Sequence, residues 1–394
     1  MNLFIFDNLN HNKVIKSLLK FKKSGEIKEY YEAARELIEF SAHRLTDMDL
    51  IDEYVIRSML EQDGLPNPEN VRDFLRSDIK TVYDEILCVD WNGLFAEKGL
   101  VPISLITSGA VDTGLNGYTR SIEGILQSSS REALMGAYLA HAEIFGTGKT
   151  SAYAALKWEN RDFKGIVNID PITFDDLTGI EHQKRVLIAN TESFVCGKPA
   201  NDVLLSGSIG TGKSSCVKAC LNMFKDRGLR LIELKKSDLD DLTVIFNNIN
   251  NSILKYIIFI DDLSFEPDDM SYKALKVALD GQAETRGGNV LIYATSNRRN
   301  LIKETWSDRD GGDEIHRSEA LAERKSLASR FGINLSFLTP TQNEYLMIVA
   351  EMLRRENIEM DDSIRSRALT WQIQYNGFSG RTAAQFVSNL LSSM

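Results

Sequence analysis

The sequence predicts an α/β protein: a parallel sheet covered by helices, with helical regions before and after it. Three observations carry that expectation. Beyond Pro171, five short apolar runs alternate with helical segments. The first run, Val203-Leu204-Leu205, leads into Gly207-Ser208-Ile209-Gly210-Thr211-Gly212-Lys213-Ser214, which satisfies G-x-x-x-x-G-K-[ST] in full. Ahead of Pro171, apolar residues recur mostly at helical spacing.

In chain order, residues 1 to about 85 read as helices. Between Glu29 and Phe40, Tyr30, Ala33, Ala34, Leu37 and Ile38 form one apolar stripe opposite Glu and Arg. Lys13, Lys16, Lys20, Lys22, Lys23 and Lys28 read as a solvated helix face. Pro66-Asn67-Pro68 breaks the pattern, and a less regular stretch with Gly93, Gly99, Gly109, Gly114 and Gly117 follows. Ser129 with Glu132 reads as a capping box that starts a helix running to about Phe145. Phe145-Gly146-Thr147-Gly148-Lys149-Thr150 imitates the tail of the phosphate motif, but Glu143 stands at the required first glycine and a helix precedes it. It reads as a helix end and a turn.

The five runs are Val203–Leu205, Leu229–Leu234, Tyr256–Ile260, Val290–Ala294 and Ile333–Phe337. Val, Ile, Leu and Phe dominate them, as in strands buried on both faces. From Thr341 the chain reads as helical again. Thr341 and Glu344 form a capping box, and Leu346, Val349, Ala350 and Leu353 supply the buried stripe.

Strand, glycine loop and helix in succession make a phosphate cradle. Backbone N–H groups of the loop point inward, and the helix N-terminus adds partial positive charge. The expected nucleotide contacts run from Gly207 through Ser208, Ile209, Gly210, Thr211, Gly212, Lys213 and Ser214 to Ser215. Lys213 would meet the β- and γ-phosphates, and the Ser214 hydroxyl would hold Mg²⁺. The third run ends in Asp261-Asp262. A buried strand that ends in two acids needs a reason, because unpaired buried carboxylates are costly. Asp261 suits the outer shell of the Mg²⁺ on Ser214, and Asp262 is placed to orient or deprotonate a water.

Composition sets the remaining bounds. At 394 residues the chain has room for two or three domains, and its 43% hydrophobic and 26% charged content is that of a globular protein. No apolar run reaches about 18 residues, the length that spans a bilayer. The first residues lack a basic start and a cleavage site. Four scattered cysteines fit no disulfide framework or zinc spacing, and Cys216 and Cys220 read as core residues. A cytoplasmic protein is expected. Net charge is −10, of which −7 falls in residues 1–160. An acidic surface opposes phosphate-backbone binding, so nucleic acid is disfavoured as a partner unless a local basic patch exists.

With the loop and the acid pair in place, residues 166–394 resemble the AAA+ family of P-loop ATPases. The features fall in that family's order: Phe174-Asp175-Asp176-Leu177-Thr178-Gly179-Ile180-Glu181, then the loop, the acids, and a fourth strand ending Thr295-Ser296-Asn297. The resemblance implies a sheet in the order 5-1-4-3-2. Taken with the helical pattern that precedes it, the expected organisation is an all-α domain over residues 1–165, an α/β core over 166–340 and a helical lid over 341–394. The resemblance also implies that Gly179 and Ile180 pack near the adenine and that Asn297 helps position the water. Arg330, just before the fifth strand, matches an arginine finger that reaches into a neighbouring subunit, and Arg381 matches a second sensor on the lid. One departure matters: most of the family carries Asp-Glu where this chain has Asp261-Asp262, and the shorter acid implies slower hydrolysis. Glu266 is a candidate substitute.

Closer still, Asp261-Asp262-Leu263-Ser264-Phe265-Glu266, Thr295-Ser296-Asn297-Arg298-Arg299 and Gly312-Asp313-Glu314-Ile315-His316 are similar to an uncharacterised bacterial P-loop ATPase family, domain of unknown function 815. The charged insertion from Lys303 to Arg324 reads as a solvated loop, and His316 as a loop residue. The expected activity is Mg²⁺-dependent ATP hydrolysis at a boundary between identical subunits, coupled to work on a client, with protein favoured. The alternative is a nucleotide-dependent switch or helicase-loader-like protein with little turnover. A small-molecule kinase would need an acceptor pocket, and no set of residues supplies one.

Overall fold

The computed structural model describes residues 1–62, 71–103, 114–250, 252–265, 271–280, 286–297, 327–375 and 377–393. Pro66-Asn67-Pro68, Gly109, Glu266, Arg298-Arg299 and the insertion from Lys303 to Arg324 with His316 lie outside the described residues. The chain divides into two compact units. One holds residues 1–156, 163–169 and 252–254, and the other holds 157–162, 170–251 and 255–394.

Helices build the first unit: α1 (Asp7–His11), α2 (Lys13–Ser24), α3 (Ile27–Ser41), α4 (Leu50–Leu60), α5 (Arg72–Val82), α6 (Trp91–Glu97), α7 (Asn116–Leu126) and α8 (Arg131–Phe145). Caps set several ends. Asn12 accepts from the Ile15 N–H to start α2, and Gly25, at φ 68°, closes it in the left-handed conformation that glycine tolerates. On α3, Tyr30, Ala33, Ala34 and Leu37 are buried, but Ile38 is 55% exposed. One residue past Leu37 is about 100° further round the helix, which carries Ile38 off the buried stripe. The cap of α8 is Ser130, not Ser129: its side chain accepts from the Ala133 N–H. The imitation motif is a turn after α8, with Gly146 and Gly148 at positive φ and the Gly148 N–H bonded to the Leu60 carbonyl at 2.8 Å. Two buried acids are held by the backbone. Asp78 accepts from the N–H groups of Phe4, Ile5 and Phe6, and Glu53 from those of Leu45 and Thr46.

The sheet strands are β1 (Ala155–Glu159), β2 (Asp162–Gly165), β3 (Val203–Gly207), β4 (Leu229–Glu233), β5 (Lys255–Ile260), β6 (Val290–Ser296) and β7 (Ile333–Phe337). Their order is β2-β1-β4-β5-β6-β3-β7. The pairs β4–β5, β5–β6, β6–β3 and β3–β7 are all parallel. Counting from β3 as the first, that core reads 5-1-4-3-2, as the resemblance implies. β1 and β2 correct the all-α expectation for residues 1–165. Asn160 and Arg161, at φ 54° and 60°, form a two-residue turn of the kind that closes a hairpin. Asn-Arg lacks the glycine that usually announces such a turn.

Register places the site. Val203 lies between Tyr293 and Ile333, and Gly207 pairs with Phe337, so the glycine loop leaves the carboxyl edge beside the ends of β6 and β7. The covering helices are α9 (Glu181–Val195), α10 (Lys213–Phe224), α11 (Leu242–Ile249) and α12 (Tyr272–Leu279). Cys216 and Cys220 are fully buried on α10. Three more helices close the chain: α13 (Gln342–Arg355), α14 (Asp362–Gln374) and α15 (Gly380–Ser392). Their core is Tyr345, Leu346, Val349, Leu353, Ala368, Ala383 and Phe386. The Thr341–Glu344 capping box is present. Among the described residues, no helix is long and apolar enough to cross a membrane.

Candidate functional site

Three glycines shape the loop between β3 and α10. At Gly207, φ is 144°, and a Cβ would sit 1.9 Å from the Phe337 carbonyl oxygen. That oxygen accepts from the Ser208 N–H at 3.2 Å, so the loop starts pressed against β7. Gly210, at φ 77°, lies against the start of α15: a Cβ there would meet Ser379 Oγ at 3.0 Å, and its carbonyl accepts from the Arg381 N–H at 3.2 Å. Gly212, at φ 92°, precedes α10 and has no side chain to cap it. The first N–H groups of α10 therefore have no side-chain cap, the arrangement in which a helix start can receive an anion. Thr211 Oγ1 donates to the Ser208 carbonyl at 2.8 Å and fixes the turn between them. Ser208 Oγ meets Thr339 Oγ1 at 2.8 Å, Ile209 is exposed, and Ser215 lies in the first turn of α10.

Lys213 is buried, and its ammonium donates to the Gly207 carbonyl at 2.9 Å, the Ser208 carbonyl at 2.7 Å and Asn297 Oδ1 at 2.9 Å. Burial pushes the ammonium below the ordinary lysine range. Asp261 and Asp262 pull the other way, and the nearby Arg381 adds to the depression. Ser214 Oγ donates to Asp261 Oδ1 at 2.7 Å. Asn297 Nδ2 donates to Asp262 Oδ1 at 2.7 Å. Lys213, Ser214, Asp261, Asp262 and Asn297 thus form one set at the carboxyl edge, drawn from the ends of two neighbouring strands, β5 and β6, and from the start of α10.

The acid pair does not continue its strand. β5 ends at Ile260, and Asp262 takes a left-handed conformation at φ 52°, which Asp tolerates better than most residues. The two side chains diverge, one toward Ser214 and the other toward Asn297. Thr295, 1% exposed on β6, sits between them. Its Oγ1 donates to Asp261 Oδ1 at 2.5 Å and accepts from the Asp262 N–H at 2.9 Å. Sequence reasoning passed over Thr295. The available signal was a polar Thr-Ser-Asn tail on an otherwise apolar strand, where buried hydroxyls need partners.

The segment from Phe174 borders the loop. Leu177 Cδ2 and Ile180 Cδ1 lie 3.7 Å from the Cβ position of Gly212, and Ile348 Cδ1 of α13 lies 4.0 Å from that of Gly179. Arg355 of α13 pairs with Asp176 and bonds the Asp175 carbonyl. Gly179 and Ile180 therefore lie between the loop and α13, with the apolar side chains of Leu177 and Ile348 beside them.

Arg330 stands apart from this set. It precedes β7, where the Ile333 N–H bonds the Asp202 carbonyl just before β3, so it belongs to the amino edge of the sheet. There it forms an ion pair with Asp280, which follows α12. β3 and β7 separate it from the loop of its own chain.

A family model described as "Protein of unknown function (DUF815)" matches residues 151–394. No curated protein matches the chain. Among solved structures, the Thermotoga maritima RuvB Holliday junction branch migration motor is similar at 16% identity and a TM-score of 0.33, covering 56% of this chain and 73% of that one. The replication initiator DnaA, bound to AMPPCP and single-stranded DNA, is similar at 18% identity and a TM-score of 0.39, covering 57% and 66%. At such TM-scores neither likeness bears on the fold, which rests on the strand order and the loop.

Proposed function

The chain belongs to the DUF815 family of proteins of unknown function, and from that premise we propose that it binds Mg²⁺·ATP at Gly207–Ser215 and hydrolyses it. The observation that supports this most is the connected set Lys213, Ser214, Asp261, Asp262 and Asn297 beside an uncapped helix start. An ammonium, a hydroxyl and two acids gathered around glycines at a sheet's carboxyl edge suit a phosphate tail and the cation that accompanies it.

The residues divide the work. N–H groups of the loop and the Lys213 ammonium hold the β- and γ-phosphates. Ser214 and Asp261 offer a hydroxyl and a carboxylate, hard oxygen donors of the kind Mg²⁺ takes alongside phosphate and water. Bound there, the ion would neutralise phosphate charge as it develops. Asp262 accepts the proton of the attacking water, or orients it, and Asn297 fixes that carboxylate. Gly179 and Ile180 border the base, and Arg381, whose backbone rests on Gly210, senses the nucleotide from the lid. Arg330 faces the wrong edge to serve its own loop, which favours service to a neighbouring copy and hence a homo-oligomer.

On this reading residues 1–165, 166–340 and 341–394 act as a mostly helical domain that ends in the β1–β2 hairpin, a motor core and a lid. Lid motion would pass work to a protein client in the cytoplasm. A second reading, a switch with little turnover, has its own support: Asp262 is short, and Asn297 ties it to Lys213. Calorimetry with Mg²⁺ and ATP, paired with a phosphate-release assay, tests both. Heat of binding with turnover supports the ATPase, and heat without turnover supports the switch. No heat overturns the proposal.

A further inference from the structure

We propose that Thr295 is the positioning residue that sets the acid pair, so that Asp261 and Asp262 can serve metal and water separately. The inference rests on the nucleotide site proposed above and adds to it a residue outside the phosphate loop.

Thr295 makes three bonds at the bend where β5 ends. Its hydroxyl meets Asp261 Oδ1 at 2.5 Å and the Asp262 N–H at 2.9 Å, and its carbonyl accepts from the Leu263 N–H at 2.7 Å. Donor and acceptor roles follow from chemistry alone. An N–H only donates, so Thr295 Oγ1 accepts from Asp262, and its single proton goes to Asp261. That oxygen of Asp261 also takes the Ser214 proton at 2.7 Å, which fixes the carboxylate between two hydroxyls.

The same residue holds the backbone of the second acid. A left-handed Asp is strained unless its surroundings over-determine it. Here two consecutive N–H groups, those of Asp262 and Leu263, both end on Thr295. The bend then aims Asp262 at Asn297, two residues beyond Thr295 and just past the end of β6. Burial, β-branching and its hydrogen bonds to Asp261 and Asp262 restrict the Thr295 side chain, so its hydroxyl is a fixed reference point.

Thr295→Val keeps the shape and removes the hydroxyl, and Thr295→Ser keeps the hydroxyl. In the full chain, Thr295→Val should lower kcat for phosphate release by about 10- to 100-fold, the rate equivalent of one or two hydrogen-bond contributions. KM and the affinity for ATP in EDTA should stay within about threefold, and the Mg²⁺ concentration for half-maximal rate should rise. Thr295→Ser should recover most of the rate. A Val variant with wild-type kcat overturns the proposal. So does a Ser variant as slow as the Val variant, or a Val variant that loses ATP affinity in EDTA as well.

Should the unaltered protein bind ATP without turnover, the hydrolysis reading fails and Thr295 is judged by binding alone. Thr295→Val must then reduce the gain in ATP affinity that Mg²⁺ confers. An unchanged gain overturns the proposal.

Discussion

The Lys213 ammonium and the Asn297 side-chain oxygen are joined at 2.9 Å, a bond that ties the glycine loop to the end of β6. The amide cannot be reversed, because an ammonium only donates and the Asp262 carboxylate on its other side, at 2.7 Å, accepts. Asn297 thus links Lys213 to Asp262, which on the proposed reading would grip phosphate and handle water. Phosphate entering the loop would compete for Lys213 and release one end of Asn297.

From that link, Asn297→Ala is expected to spare nucleotide binding and cost turnover. Loss of one positioned donor is worth about 10²-fold in rate. Calorimetry should give a Kd for ATP within a few-fold of the unaltered protein, with phosphate release slowed by about that factor. Lys213→Ala, in contrast, should abolish binding itself. Equal loss of binding in both variants would mean that Asn297 only props up the lysine.

Two glycines should respond in opposite directions to alanine. A Cβ at Gly207 would lie 1.9 Å from the Phe337 carbonyl oxygen, where backbone meets backbone and nothing flexible can yield. Gly207→Ala should cost about 3 kcal/mol or more and eliminate nucleotide binding. Gly136, inside α8, has nothing within 4 Å of its Cβ position. Gly136→Ala should add roughly 0.5–1 kcal/mol, since alanine loses less backbone freedom in a helix. Urea unfolding of the two variants, followed by circular dichroism, checks both signs.

The cap of α13 makes a pH-dependent prediction. The Thr341 N–H, at 2.7 Å, and then the Thr341 hydroxyl, at 2.9 Å, hold the Glu344 carboxylate below its ordinary range. A carboxylate lowered in the folded state adds stability above its unfolded pKa, and that contribution fades as pH falls through the folded value. Glu344 is exposed, so the ion contributes only a few tenths of a kcal/mol. Thr341→Ala should cost about 1 kcal/mol near neutrality and less below about pH 4. Thermal melts at two pH values measure the difference, and a penalty that grew on acidification would contradict the cap.

The fold was legible where residue pattern and physics coincide. Five apolar runs marked five strands because a sheet buried on both faces leaves no alternative composition, and Thr341 marked a helix start because its partner lies three residues on. The β1–β2 hairpin was not legible, since its turn is Asn160-Arg161 and the positive φ of both residues shows only in three dimensions. At the site, Lys213, Ser214 and the two acids were readable from spacing. Thr295 was not, because its value lies in contacts with residues more than thirty positions away. Nor did the sequence reveal that Arg330 is paired with Asp280.

That last pair bears on assembly. Arg330 sits at the amino edge of the sheet and the loop leaves the carboxyl edge, so a finger role requires a second copy of the chain. Arg330→Ala should bind ATP normally and lose about 10³-fold or more in turnover. Lys213→Ala should bind no ATP yet keep an intact Arg330. Mixing the two dead variants in equal amounts therefore creates boundaries where a competent loop meets a competent finger. Random assembly makes roughly a quarter of boundaries so, and turnover should return to about that share of the unaltered rate. A mixture as inactive as its components, under conditions where subunits exchange, would show that Arg330 does not act across a boundary.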